Sequence, residues 1–143
     1  MRILFVDPPG LQEPLKNKPG IGLNLAVATL TPILVKQGHQ VSLFDMENIF
    51  ENRSIVMMQR AIESFDPEVI CLPILNAQYN NALKVIKDIN KFVSLPIIVG
   101  GAEITAIKEK VFHDTDFAVK VSVLGEGEVS LLQVIKCLEK NDV

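Results

Sequence analysis

The sequence predicts a doubly wound α/β domain, a sheet of five parallel strands with helices on both faces. Strand and helix signals alternate along the whole chain, and such alternation calls for parallel strands joined by right-handed crossovers. Three of the strands are unbroken apolar runs, the pattern of strands covered on both faces. Glycine-marked turns stand at the ends of three strands: Asp7-Pro8-Pro9-Gly10, Gly100-Gly101 and Gly125-Glu126-Gly127-Glu128. In an open parallel sheet the ligand crevice lies outside those carboxyl ends.

The first strand covers residues 2–6 and stops at Asp7-Pro8-Pro9, since proline lacks the N–H that a ladder needs. After a loop rich in Pro, Gly, Lys and Asn, a helix is expected over residues 22–37. Leu23, Val27, Leu30 and Leu34 recur there at spacings of 4, 3 and 4, one face of a helix. Pro32 falls inside it and predicts a kink or a late start; Gly38 is the stop signal. Residues 40–45 form the second strand. Residues 54–64 form the second helix, with Ile55, Met58, Ile62 and Phe65 on one face and at least one of Met57 and Met58 in the core. Asp66-Pro67 turns into the third strand, residues 69–72. The third helix, residues 77–92, turns Ala82, Val85, Ile86, Ile89 and Phe92 or Val93 inward. A strand at 96–99, a short helix at 103–112, a strand at 117–124 and a helix at 126–139 complete the order.

The apolar patterns also predict the strand order. Strands one, three and four are continuous apolar runs and belong in the centre. Strand two alternates (Val41 and Leu43 against Ser42), as does strand five (Phe117, Val119, Val121 and Val123 against Lys120 and Ser122). Alternation marks a face that meets solvent, as at sheet edges. The order is therefore 2-1-3-4-5, the flavodoxin-like (Rossmann-like) arrangement, with its switch point between strands one and three.

With 143 residues and 48% hydrophobic residues, the chain is long enough to bury a core as one domain. A net charge of −3 argues against a nucleic-acid footprint. Residues 23–35 are the longest apolar stretch, and Asn24, Thr29, Thr31 and Pro32 make it too short and polar to span a membrane. Met1-Arg2-Ile3 enters a strand directly, so the expected location is cytoplasmic. Cys71 and Cys137 are expected to be buried, reduced thiols rather than a disulfide or metal site.

The rim loops name the candidate binding residues: Asp7, Pro8, Pro9 and Gly10; Leu72, Pro73, Ile74, Leu75 and Asn76; Gly100, Gly101, Ala102 and Glu103; Gly125, Glu126 and Gly127. Glycine lets backbone approach a ligand closely. Several ligands do not suit these loops. Gly20-Ile21-Gly22 comes 14 residues after Val6, and Leu25 stands where a dinucleotide fingerprint needs its third glycine. No phosphate-binding loop ends in Lys-Ser/Thr. The first loop lacks the hydroxyls and N–H groups of a flavin-phosphate cradle. A phosphoacceptor site needs clustered acids, and only Asp7 fits. Glu126 and Glu128 already occupy the positive end of the last helix, which disfavours phosphate there. No acid/base pair or nucleophile–base pair converges on the rim, so no catalytic residue and no metal ligand is assigned. What remains is a large, mostly apolar ligand or a partner protein.

The motifs resemble a known family. Asp7-Pro8-Pro9, Pro19-Gly20-Ile21-Gly22-Leu23-Asn24-Leu25-Ala26, Gly38-His39-Gln40-Val41, Asp45, Asp66-Pro67-Glu68-Val69-Ile70, Val99-Gly100-Gly101-Ala102-Glu103-Ile104-Thr105 and Gly125-Glu126-Gly127-Glu128 look like the cobalamin-binding domains that precede radical S-adenosylmethionine modules. The pattern resembles that of anaerobic magnesium-protoporphyrin monomethyl ester cyclases and similar methyltransferases. The resemblance implies a cobalamin at the carboxyl rim, its nucleotide tail against the ends of strands four and five. It also implies that residues 1–143 are the N-terminal part of a longer protein. S-adenosylmethionine and a 4Fe-4S cluster would then belong to a downstream domain, because the cysteine cluster motif is absent here. The Asp-x-His-x-x-Gly motif of methyltransferase-type cobalamin domains is missing at Asp7-Pro8-Pro9-Gly10, which implies a His-off mode.

Plainer roles compete at each position. Asp7-Pro8-Pro9 can simply end a strand. Gly100-Gly101 can serve only a tight turn, with Thr105 capping it or facing solvent. Glu126 and Glu128 are dipole-compensating acids. Asn76 and Tyr79 are the polar candidates just past strand three. His39 is expected at the surface after a helix stop, and His113 in a polar turn, both at the amino end of the sheet. Gly101→Val is expected to abolish ligand binding while leaving the fold intact, whereas a bare turn with negative φ would tolerate Ala at a cost within about 1 kcal/mol. The competing function is a cofactor-free structural or docking domain of the same fold; a free-standing small enzyme ranks below both.

Overall fold

Alternate residues of each central strand enter opposite cores, and this places every helix. In the computed structural model, which describes residues 1–10, 24–46 and 51–140 (side chains in the last stretch from Ser54 onward), β1 (Arg2–Asp7) buries Leu4 and Val6 on one face and Ile3 and Phe5 on the other. β3 (Val69–Pro73) and β4 (Ile97–Gly100) divide in the same way. β2 (Gln40–Asp45) and β5 (Val121–Ser122) lie at the edges. The five strands are parallel in the order β2-β1-β3-β4-β5, as the apolar patterns predict.

Two helices cover the Ile3/Phe5 face. Those are α1 (Leu25–Lys36), through Val27 and Leu34, and α6 (Gly127–Glu139), through Leu131 and Ile135. The other face is covered by α2 (Glu51–Phe65), α3 (Tyr79–Phe92), α4 (Ala102–Ile107) and α5 (Lys110–Asp114). Asn24 caps α1: its side chain accepts a hydrogen bond from the Ala26 N–H at 3.1 Å, which fixes the late start. The helix then runs through Pro32 to Lys36. Gly22 and Leu23 lie outside the described residues. A 3-10 turn, Asn76–Gln78, leads into α3, whose Ala82, Val85, Ile86 and Ile89 are all buried. On α2, Met58 and Ile62 are buried, while Met57 and Ile55 are exposed; the inward place expected for Ile55 is corrected.

Two further expectations need correction. The single helix predicted at 103–112 is two helices, because Lys108 takes a left-handed φ of 52° between them. The strand predicted at 117–124 forms a ladder only over Val121–Ser122. Asp116 and Phe117 have φ of 52° and 60°, values that end any strand. Val119 and Val123 are nonetheless buried, but in opposite cores, so the alternation does not mark one face of a strand; the N–H groups of Lys120 and Val123 extend the bonding to β4 on either side of the short ladder. No helix among the described residues is long and apolar enough to cross a membrane.

Candidate ligand-binding groove

A groove of about 630 Å³ opens at the carboxyl ends of β3 and β4, between the first turns of α1 and α6. Phe5, Cys71, Ile98, Val123 and Leu131 form its floor, and Leu25, Ala26, Thr29 and Leu30 form the α1 wall. The turns after β4 and β5 supply the rest. Of the sequence-predicted residues, Leu72, Pro73, Gly100, Gly101, Ala102, Gly125, Glu126 and Gly127 line it. Among the lining residues are all four glycines of the two turns.

The reasons for those glycines differ. Gly101 has φ 104° and ψ −180°, a region essentially reserved for glycine. A Cβ there would stand 2.6 Å from the carbonyl oxygen of Ile74. The expectation that a side chain at Gly101 spares the fold is therefore corrected: the β4 turn itself requires glycine. Gly127 is different. Its Cβ would meet only the Leu30 side chain, at 3.4 Å, so its smallness keeps the mouth open between α1 and α6. Thr105 holds the two turns together. Its hydroxyl donates to the Gly101 carbonyl at 3.0 Å and accepts from the Gly125 N–H at 2.9 Å. Glu126 caps α6 without a side-chain cap bond, and Glu128 lies in its first turn, where both acids suit the helix dipole.

The loop after β1 is built as an anchor outside the groove lining. Asp7 is only 7% exposed. Its Oδ1 accepts hydrogen bonds from Asn24 Nδ2 at 3.0 Å and Gln78 Nε2 at 2.9 Å. The Gln78 amide also donates to the Pro8 carbonyl at 2.7 Å and accepts from the Leu75 N–H at 3.0 Å. Asn81 Nδ2 donates to the carbonyls of Pro9 and Gly10 at 3.0 and 2.7 Å. Ile74 is fully buried and Leu75 is exposed. Asn76 Nδ2 donates to Glu103 Oε2 at 2.8 Å. Tyr79 donates its hydroxyl to Asp114 at 2.6 Å. Burial, then that carboxylate, push its pKa up, and the Lys110 ammonium, then the Tyr79 hydroxyl, hold Asp114 below its usual range. That pair ties α3 to α5.

Both histidines lie away from the groove lining. His39 precedes β2, at the amino end of the sheet, but is buried, which corrects the surface position expected for it. Its Nδ1 is 3.2 Å from the Met1 amino group. Burial, then that ammonium, hold its pKa down. His113 is in the last turn of α5. Cys71 is buried, and burial alone pushes its pKa up to about 12; Cys137 is exposed, against expectation. No cluster of three or more metal-ligating side chains occurs among the described residues. Sequence reasoning missed the α1 wall and the floor. Leu25 and Ala26 stood within a motif already singled out, but the floor residues carry no local signal, because only tertiary packing separates α1 from α6 there.

Comparison with known proteins adds a family. The profile of the B12 binding domain matches residues 16–135. No curated protein matches the chain. Among solved structures, the cobalamin-dependent S-adenosylmethionine radical enzyme OxsB with aqua-cobalamin bound is similar at 25% identity and a TM-score of 0.76, over 99% of this chain and 19% of that one. The same values hold for OxsB with aqua-cobalamin and S-adenosylmethionine bound. Apo OxsB, at 22% identity and a TM-score of 0.66, is alike in fold. The chain thus spans about a fifth of the length of those enzymes.

Proposed function

The chain belongs to the B12-binding domain family, and from that premise we propose that it holds cobalamin at the carboxyl rim with the nucleotide tail in the groove between α1 and α6. The groove carries this reading. Its floor is apolar, its mouth is kept open by Gly127, and its turns are glycine-lined. These residues suit the cofactor. A flat aromatic base fits between apolar helix walls, and a glycine turn gives the chain linking base to corrin close backbone contact. When bound, cobalamin supplies a cobalt centre able to carry a methyl group or change oxidation state. The protein's own part is to bind, orient and shield.

His-off binding is supported by the position of the imidazoles. The sequence has two histidines; one flanks the start of β2 and the other lies in the α5 turn before β5. Neither lines the groove. Similarity to OxsB supports a further proposal, that residues 1–143 are the N-terminal module of a longer radical S-adenosylmethionine protein of cyclase or methyltransferase type. S-adenosylmethionine and the 4Fe-4S cluster would be held by its downstream domain.

Titration with hydroxocobalamin, followed by absorbance and calorimetry, tests the reading. Saturable binding is expected. Gly127→Val should weaken it at least about tenfold while changing stability by about 1 kcal/mol or less, since the new Cβ meets only the flexible Leu30 side chain. The double variant His39→Gln/His113→Gln should leave the bound-cobalamin spectrum unchanged. No saturable binding to the full-length protein would replace this reading with a cofactor-free docking domain.

A further inference from the structure

The groove is divided by polarity along its depth. Its floor side chains, Phe5, Cys71, Ile98, Val123 and Leu131, are all 7% exposed or less. None offers a strong donor or acceptor; Cys71 is a neutral thiol and hence only a weak donor. The polar lining side chains stand at the mouth. Thr29, Thr105 and Glu126 are exposed and Glu128 half-buried. The Thr105 hydroxyl is already engaged with Gly101 and Gly125. Among the described residues, a group seated on the floor therefore finds no side chain with which to pair a polar edge.

We propose that this floor selects corrinoids by their lower base, favouring dimethylbenzimidazole over a purine. The proposal rests on the cobalamin reading and goes beyond it. Dimethylbenzimidazole presents a carbon edge with two methyl groups. Adenine presents ring nitrogens and an exocyclic amine on the corresponding edge. Those atoms lose their water on entry and meet no pairing side chain on the floor, and a buried polar group left unpaired is costly. The preference has a ceiling, because an apolar pocket rejects a polar isostere by no more than about a hundredfold.

The test compares three probes with the same upper ligand on the full-length apo-protein. They are cobalamin, its analogue with adenine in place of dimethylbenzimidazole, and cobinamide, which lacks the nucleotide. Kd is read by fluorescence quenching or equilibrium dialysis. Cobalamin should bind at least about fivefold tighter than the adenine analogue, and tighter than cobinamide. A ratio below about fivefold, with both tailed corrinoids tighter than cobinamide, would overturn base selection and leave the cobalamin reading intact. Equal affinity for all three would overturn it too, since the tail would then make no use of the groove. Binding of none would remove the cobalamin reading itself. Val123→Thr places a hydroxyl on the floor. It should narrow the preference by about threefold or more, and an unchanged ratio in a variant that melts like wild type would overturn the assignment to the floor. If that variant fails to fold, the wild-type comparison decides.

Discussion

Gly101→Ala should unsettle the fold before it touches a ligand. At φ 104° and ψ −180°, any side chain costs about 1–3 kcal/mol in backbone strain. The new Cβ would also stand 2.6 Å from the Ile74 oxygen and 3.0 Å from its nitrogen. Ile74 cannot yield. It is fully buried, its N–H donates to Gly100 at 2.7 Å, and its carbonyl accepts from the Glu103 N–H at 3.3 Å. Displacing that carbonyl loses a hydrogen bond, about 1 kcal/mol more. The total is about 2–4 kcal/mol, which for 143 residues lowers Tm by about 7–13 °C. Thermal melts followed by circular dichroism measure it. Gly100→Ala is the control: its Cβ meets Val123 at an ordinary 3.5 Å, so Tm should move by about 3 °C at most. A Gly101→Ala protein melting within about 2 °C of wild type would refute the reasoning.

Thr105→Val removes both bonds between the β4 and β5 turns and should cost about 1–2 kcal/mol and weaken cobalamin binding; Thr105→Ser should restore both, and an equal loss in Ser would rule out the hydroxyl. Gln78→Leu strips donors from the Asp7 carboxylate and the Pro8 carbonyl and should cost about 2–4 kcal/mol in urea unfolding; a loss within about 0.5 kcal/mol would show the clamp to be idle. His39 governs a pH dependence. Its folded pKa lies below its ordinary 6.5, so the unfolded chain binds more protons between the two values and stability rises with pH there. The contribution is complete above 6.5 and is lost as pH falls to the folded pKa. His39→Gln should flatten that slope, and a slope unchanged in the variant would assign it elsewhere.

The sheet was legible because its signal is local. A central strand such as Ile97-Ile98-Val99 reads as a continuous apolar run, since both faces are covered. The break at Lys108 was not legible, because no glycine or proline marks a left-handed turn held by tertiary packing. Phe117 misled in the same way: it continues an alternating pattern, yet it is 69% exposed on a left-handed turn. At the site, the glycine turns gave half the groove. The other half is a gap between two helices about a hundred residues apart in the chain, and no spacing rule describes a gap. Asp7 was found as a rim residue, but its partners Asn24 and Gln78 come from elements that the periodicity of β1 does not mention.

The clamp on the β1 loop also bears on the order of folding. Gln78 reaches Asp7 across 71 positions, and Asn81 reaches Gly10 across another 71. Such bonds close only after β1, two crossovers and β3 have come together, since closing a long loop costs entropy before any contact rewards it. The anchor is therefore a late lock on a preformed sheet rather than part of its nucleus. Gln78→Leu should accordingly steepen nothing in the refolding limb of a chevron and act by speeding unfolding; a slowed refolding limb would move the clamp into the nucleus. A bond set last and released first gives the rim a kinetic latch, which sets how long the shaped end of the sheet persists once it has formed.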